Sequence, residues 1–469
     1  MTVIPAEGST ELAKRGEILS GPVSGGNHSL PSVKSQYFTL FILGIVVMFT
    51  VLDRQILSLM IEPIKQDYRI SDTQVALLLG AAFSLPYAIA GLPIARLADV
   101  ANRKNLIAAC LAFWSLMTVA CGLAQSYTHL LLARMGIGAG ESGYGPASWS
   151  ILTDSFPRER VAFATGTMAI GSQVGTGLAL IIGGSALALV SHIAPIDVPL
   201  IGVLRPWQWA FIIVGFPGVL WALVVVTALR EPKRRGKFNA TAGRPKATPV
   251  KEVGAYMLND WRTYLAVIGG HSMKYLFMLG TTQWMPTLFY REFGWSLTKI
   301  GLIQGVLILV VGSASLPLGG KLSEYMTRKG VRGANLRIVF YSMLISVPIS
   351  MMFPLMPNPW VVLGLYGVII VVSNAAAGPA SAAAQVITPN PMRAQVSAVK
   401  LFSSNVIAFA LGPLIVALFT DYLFADPSQL KYSMALAAIV LGPPAVFIVW
   451  QGLEPYARSY ERTASEFDE

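Results

Sequence analysis

Apolar residues run along this chain in long blocks separated by short polar stretches. A helix needs about 20 apolar residues to cross a ~30 Å hydrocarbon core. Blocks of that length lie at 37–60, 73–97, 104–125, 128–152, 161–190, 207–229, 262–290, 298–322, 335–356, 359–386, 394–420 and 431–453. The fifth, seventh and tenth are long enough to tilt, kink or extend past the bilayer. The pattern predicts an all-α membrane protein of twelve transmembrane helices.

Composition agrees. Of 469 residues, 54% are hydrophobic and 13% charged, against about 25% charged in soluble domains. The net charge of +11 invites a nucleic-acid reading, which its distribution removes. Twelve spans leave both termini on one side. With that side cytoplasmic and bases near the span ends counted with the adjoining loop, the inner loops and tails hold 26 Lys or Arg, the outer loops 6, and the spans three: Arg54, Arg134 and Lys274. The bias is the positive-inside rule, and it predicts a multi-pass protein of the inner (plasma) membrane with both termini cytoplasmic. The basic stretch Arg230 to Lys251 supplies much of it, so membrane lipids, and not nucleic acid, are the expected contacts. Cys110 and Cys121 share one apolar run and read as buried small hydrophobes.

That basic stretch also divides the chain. The expected organisation is a disordered cytoplasmic tail (1–36), a six-helix bundle (37–229), a basic linker (230–261), a second six-helix bundle (262–453) and a cytoplasmic tail (454–469). An internal repeat supports the division. Ser71 to Gly80 reads S-D-T-Q-V-A-L-L-L-G, and Ser296 to Gly305 reads S-L-T-K-I-G-L-I-Q-G. An acid follows at the same distance in each half, Asp99 and Glu324, and then a basic cluster. Parallel repeats of six spans are the build of a rocking transporter.

Candidate chemistry centres on Ala133 to Pro146, A-R-M-G-I-G-A-G-E-S-G-Y-G-P. At 100° per residue Arg134, Gly138, Glu141 and Gly145 share one helix face, with Gly136, Gly140 and Gly143 roughly opposite. Ionisable groups at membrane depth usually face a partner or a water-filled path. Asp53 and Arg134 lie at matching depths of roughly 10 Å by helical rise, so an ion pair between them is expected if the first and fourth spans are neighbours. Glu141 lies about 10 Å deeper, near the midplane. A carboxylate able to change partners there suits proton coupling, against the plainer reading of a static ion pair. Arg54, about 100° round the helix from Asp53, either snorkels outward or joins the same network. Lys274 is also near the midplane, placed to hold an anionic substrate or to snorkel to an interface. His271, Tyr144, Gln283 and Asn374 are further candidate substrate contacts, with interhelical hydrogen bonding as their plainer role. Gly138, Gly140 and Gly143 spell G-x-G-x-x-G, but a dinucleotide loop needs a strand before it, and this one sits mid-span. No catalytic, metal-ligand or phosphate-loop constellation stands out, so neither an enzyme nor a cofactor is expected.

These residues resemble the major facilitator superfamily, and more narrowly its spinster-type branch. Asp53-Arg54, Ser71 to Gln74 and L-A-D-V-A-N-R-K at Leu97 to Lys104 are similar to that branch's progression. Arg134 to Pro146 resembles its fourth-span signature, followed by Asp154 and Arg160. The resemblance implies the major facilitator fold and alternating access between two bundles. It implies that Asp53, Arg134 and Glu141 form a charge network linking protonation to opening. It also implies that Asp99, Arg103 and Lys104 latch the halves when the protein is outward-open, and Arg160 and Glu324 join them as latch candidates. Val100 and Ala95 depart from the loop pattern, and the fifth span lacks the proline of the antiporter motif.

The expectation is therefore a monomeric secondary active transporter, proton-coupled, carrying an amphipathic or organic-anion small molecule. The alternative is a carboxylate or small-metabolite uptake carrier on the same fold, with Arg134 and Lys274 on the substrate. A receptor or membrane enzyme lacks support from the paired halves, and a channel lacks anything like a selectivity filter.

Overall fold

The computed structural model describes residues 31–190, 196–199, 202–234, 249–389 and 391–468. Most of the expected tail at 1–36 and the middle of the basic linker at 230–261 lie outside the described residues. The described chain forms twelve helical rods in sequence order. In the first half these are Val33–Leu59, Asp72–Leu79 continuing as Ala81–Val100, Arg103–Gly122, Tyr127–Glu141 continuing as Tyr144–Ser155, Arg158–Val190 and Pro206–Ala228. The second half starts at Leu265–Gly270, which runs into His271–Phe293. It continues through Leu297–Leu307 to Ser313–Arg328, Ala334–Met352, Pro359–Val386, Arg393–Leu401 to Ala408–Leu418, and Leu430–Asp468.

Ten of these rods are long and apolar enough to cross a membrane, making this a multi-pass membrane protein. The fourth falls short because it breaks at Ser142 and Gly143 into pieces of 15 and 12 residues. The seventh is diluted by His271, Lys274, Gln283, Arg291 and Glu292. Both correspond to spans expected from the apolar blocks. Below, the end of the bundle that holds Ser32 and Asp468 is the near end, and the end that holds Ser71 and Ser296 is the far end.

The repeated sequence folds to a repeated start. Ser71 caps the second rod by accepting from Gln74 N (3.2 Å), while Gln74 Oε1 accepts from Ser71 N (3.0 Å). Ser296 caps the eighth by accepting from Lys299 N (3.3 Å). Such caps satisfy donors that have no partner in the first helical turn. Four π-helical turns, Leu265–Gly270, Ile308–Gly312, Phe402–Ile407 and Phe419–Leu423, all fall in the second half. Nothing in the apolar pattern foretold them. A short antiparallel hairpin, Ile196–Val198 with Gly202–Leu204, sits between the fifth and sixth rods.

Glycines set the closest crossings. A Cβ on Gly138 would strike the Phe83 carbonyl of the second rod. On Gly136, Gly140 and Gly143 it would press on Met117, Trp114 and Cys110 of the third, so the predicted small face does admit a neighbouring helix. The halves touch in the same way. A Cβ on Gly177 would come within 2.6 Å of the Gly305 carbonyl, and one on Gly301 would lie 3.1 Å from Gly184. At Gly80, where the second rod breaks, it would run into the Phe409 carbonyl.

Polar bonds between the halves gather at the far end. Arg291 of the seventh rod donates to both oxygens of Asp72 (2.8 Å each), to Glu62 (2.7 Å) and to the Pro427 carbonyl (3.0 Å). Lys65 also pairs with Asp72, whose carboxylate is fully buried. Thr73 N donates to Asp421 (2.6 Å). This clasp holds the far end shut.

Two measurements test this packing. Gly138→Leu should overpack the second rod at a cost of about 1–3 kcal/mol and lower the detergent-solubilised melting temperature by several degrees. Gly145→Leu, which meets nothing within 4 Å, should leave it unchanged. Arg291→Ala should leave Asp72 paired only with Lys65 of its own half and open the far end, seen as longer spin-label distances across it by electron paramagnetic resonance.

Candidate functional site

Between the halves lie two adjoining cavities of about 440 and 290 Å³ that share Gln173, Thr176, Tyr275, Met278 and Thr282. The larger leans on the second half and is lined by His271, Lys274, Asn374 and Lys400 among others. Among the described residues that line it there is no carboxylate. Lys274, 4% exposed, donates from Nζ to Ser342 Oγ (2.6 Å). Lys400 Nζ donates to the Ala380 carbonyl. Asn374 Nδ2 donates to the Gly312 carbonyl (3.0 Å), which closes a π-helical turn. The smaller cavity holds Arg54, Gln55, Gln283 and Phe409, and Gln283 Oε1 has no hydrogen-bond partner.

Beside the smaller cavity lie the intramembrane charges. Arg54 donates from Nε (2.9 Å) and Nη2 (2.5 Å) to Glu141 Oε2. Its guanidinium lies 4.5 Å from the Phe83 ring centroid, 5.8 Å from Tyr87 and 5.7 Å from Phe409 of the second half. Aromatic faces of this kind stabilise a cation by up to about 2 kcal/mol when water is excluded. Arg134 donates from Nη1 to the Asp53 carbonyl (2.9 Å) and from Nε to the Leu78 carbonyl (3.3 Å). Leu78 is in the last turn before the break at Gly80. The Asp53 carboxylate is 2% exposed and neither oxygen has a hydrogen-bond partner. Thr118 and the Trp114 indole stand next to it, the hydroxyl turned to the Trp114 carbonyl (3.1 Å).

The expected Asp53–Arg134 ion pair is therefore corrected. The first and fourth spans are neighbours at matching depth, but Arg134 bonds main-chain carbonyls, including that of Asp53 itself. The base on Glu141 is Arg54. Arg54 joins the network instead of snorkelling outward, and the sequence signal for it was its adjacency to Asp53. Tyr144 is also corrected as a cavity residue: it lines neither cavity, and its hydroxyl donates to the Leu43 carbonyl (3.1 Å). His271, Lys274, Gln283 and Asn374 do reach the cavities. Lys400, which the span count leaves among helix-end bases, lines the larger one.

The latch candidates hold other partners in this conformation. Arg103 is fully buried and donates to Asp154 (2.5 Å), Ser150 (2.7 Å), Glu231 (2.7 Å) and the Pro232 carbonyl (2.9 Å). Lys104 donates from its backbone N to Glu231 (2.9 Å) and from Nζ to the Val226 carbonyl (3.0 Å). The carbonyl of Asp99 accepts from Arg234. Arg160 is exposed, and Glu324 pairs with Arg328 (2.5 Å) on its own helix. These bonds stay within one half, in keeping with an arrangement closed at the far end.

Two six-helix halves around a central cavity that presents Lys274 and Lys400 define a membrane-transport fold. The chain belongs to the Major Facilitator Superfamily, whose family model matches residues 43–413. It is 26% identical over 403 residues to an MFS-type efflux pump of Mycolicibacterium smegmatis, covering 85% of this chain and 88% of the pump. It is 22% identical over 323 residues to Protein spinster of Drosophila melanogaster, covering 67% of this chain and 50% of that protein. It superposes with a TM-score of 0.74 on the inward-facing, unoccupied crystal structure of a bacterial homolog to the human lysosomal transporter Spinster. That match is 25% identical and covers 92% of this chain and 99% of the other. The spinster-type resemblance thus extends over nearly the whole chain.

Replacing Arg103 by Ala should leave Asp154 and Glu231 without their shared counter-charge. Breaking a buried pair costs about 3–5 kcal/mol, so the near end of the first half should lose protection in hydrogen exchange while the far-end clasp keeps it.

Proposed function

We propose that this protein is a secondary active transporter of the inner membrane, working as a monomer by alternating access and coupled to protons. Its near end faces the cytoplasm, following the distribution of basic residues. Its cargo is a small organic anion or an amphipathic molecule with an anionic head. One observation carries the reading: a cavity between the halves presents Lys274 and Lys400 and, among the described residues, no carboxylate, beneath a far end held by the Arg291 clasp.

The coupling elements are Asp53, Arg134 and Glu141, with Arg54 as the fourth member. An ionised carboxylate without hydrogen bonds is costly inside a membrane. A proton on Asp53 in the far-closed state removes that cost. When the halves rock, Arg134 exchanges a carbonyl for the Asp53 carboxylate and the proton leaves. Glu141 and Arg54 carry the change towards the second half, because Arg54 also lies against Phe409. Its relatives, an efflux pump and a homolog of a lysosomal transporter, support movement of a cargo over other activities. The uptake-carrier alternative keeps Lys274 for the substrate, but Arg134 is 1% exposed and lines neither cavity.

Reconstituted into proteoliposomes with an internal pH dye, the wild type should show cargo-dependent proton movement. Asp53→Asn and Glu141→Gln should each reduce it at least ~10-fold, the loss of roughly 1.4 kcal/mol of coupling. Proton movement that survives both changes unaltered would overturn the coupling role.

A further inference from the structure

The coupling network leaves one titratable cluster in the second half unused. His271, Lys274 and Lys400 all line the larger cavity. Each ammonium has a neutral partner, the Ser342 hydroxyl for Lys274 and the Ala380 carbonyl for Lys400. His271 lies one turn before Lys274, its ring stacked on Tyr275 at 6.2 Å and 16°. Its buried Nδ1 has no hydrogen-bond partner. Around it stand Lys274 and Tyr275 from its own rod and Lys400 from the eleventh, while Tyr366 of the tenth lines the same cavity beside Thr282. Arg54 of the first lies beyond Tyr275. The twelfth packs here against Gly270 through the Val449 and Ile448 side chains and the Ala445 carbonyl, none of them ionisable.

Two lysines without a counter-ion in a low-dielectric cleft attract an anion when protonated, and a further positive charge beside them is repelled. An anion seated between them reverses that repulsion. We infer that His271, Lys274 and Lys400 form an anion subsite, for a carboxylate or phosphate-type head, at which the arriving anion brings a proton onto His271. The proton comes from solvent and bonds to the free ring nitrogen. This second proton site rests on the anionic-cargo reading above and is separate from Asp53 and Glu141.

Calorimetric titration of the purified protein at pH 7.5, in two buffers of different ionisation enthalpy, counts protons taken up per anion bound. D-glucuronate and dodecyl phosphate serve as probes. Binding of the first alone identifies a soluble acid as the source of the head, and of the second alone a membrane amphiphile; either supports the subsite. His271→Gln should still bind the probe but lose most of the proton uptake. Lys274→Met and Lys400→Met should each weaken binding about 10-fold or more, with Lys→Arg at either position retaining it. Proton uptake unchanged in His271→Gln, with binding still lysine-dependent, overturns the inference and leaves the cargo reading standing. Binding indifferent to both lysines, or a wild type that binds neither probe, overturns both.

Discussion

An ionised side chain held in hydrocarbon must find a charge, a dipole or a proton, and the centre of this protein is arranged around four that compete for partners. Asp53, Arg54, Arg134 and Glu141 amount to two acids and two bases, so the set is neutral when all are ionised. The partners are nonetheless not the simplest ones. Arg54 takes Glu141 and the faces of three aromatic rings, Arg134 takes two carbonyls, and Asp53 is left without hydrogen bonds. Such an arrangement has a second solution close at hand, in which Arg134 turns to the carboxylate. A bistable network of this kind is what a two-state machine needs.

The same competition explains two local irregularities. Gly80 interrupts the second rod at a backbone conformation outside the helical region, and Arg134 reaches the Leu78 carbonyl just before the break. The fourth rod breaks one residue after Glu141, so the carboxylate sits at a helix terminus instead of in an unbroken span. At the two ends of the molecule the polar bonds do different work. The far-end clasp joins the halves through Arg291, whereas the buried Arg103 at the near end ties the third rod to the fourth and to Glu231 and Pro232 just past the sixth.

Much of this was legible in the sequence because the bilayer imposes length. Twelve apolar blocks became twelve rods, and the Ser71 and Ser296 repeats became equivalent caps. The small face of Gly136, Gly140 and Gly143 did meet the third rod, since helical spacing fixes which residues share a face. Partner choice was less legible. Counting residues gives depth along the membrane normal and no azimuth, so Asp53 and Arg134 could be matched in height without being matched in bond. Lys400 counts with the loop before its span although it lies six residues in, as Arg134 does in the fourth, and it lines the cavity. Arg291, Asp72 and Glu62 read as loop charges. The π-helical turns leave no signature in periodicity, because one extra residue per turn alters the phase too little to see in an apolar run.

The crossings at Gly177 with Gly305, Gly184 with Gly301 and Gly80 with Phe409 bring main chain against main chain. Side chains that interdigitate must unlock before two helices can turn against each other. Backbone surfaces carry fewer such teeth, so under the proposed alternating access these points can act as bearings with little resistance to rotation. The energy that distinguishes one tilt from the other then resides almost wholly in charges at the periphery and in the cavity. On the proposed mechanism a few kilocalories from a cargo or a proton are on that scale, so a small ligand would suffice to govern the motion.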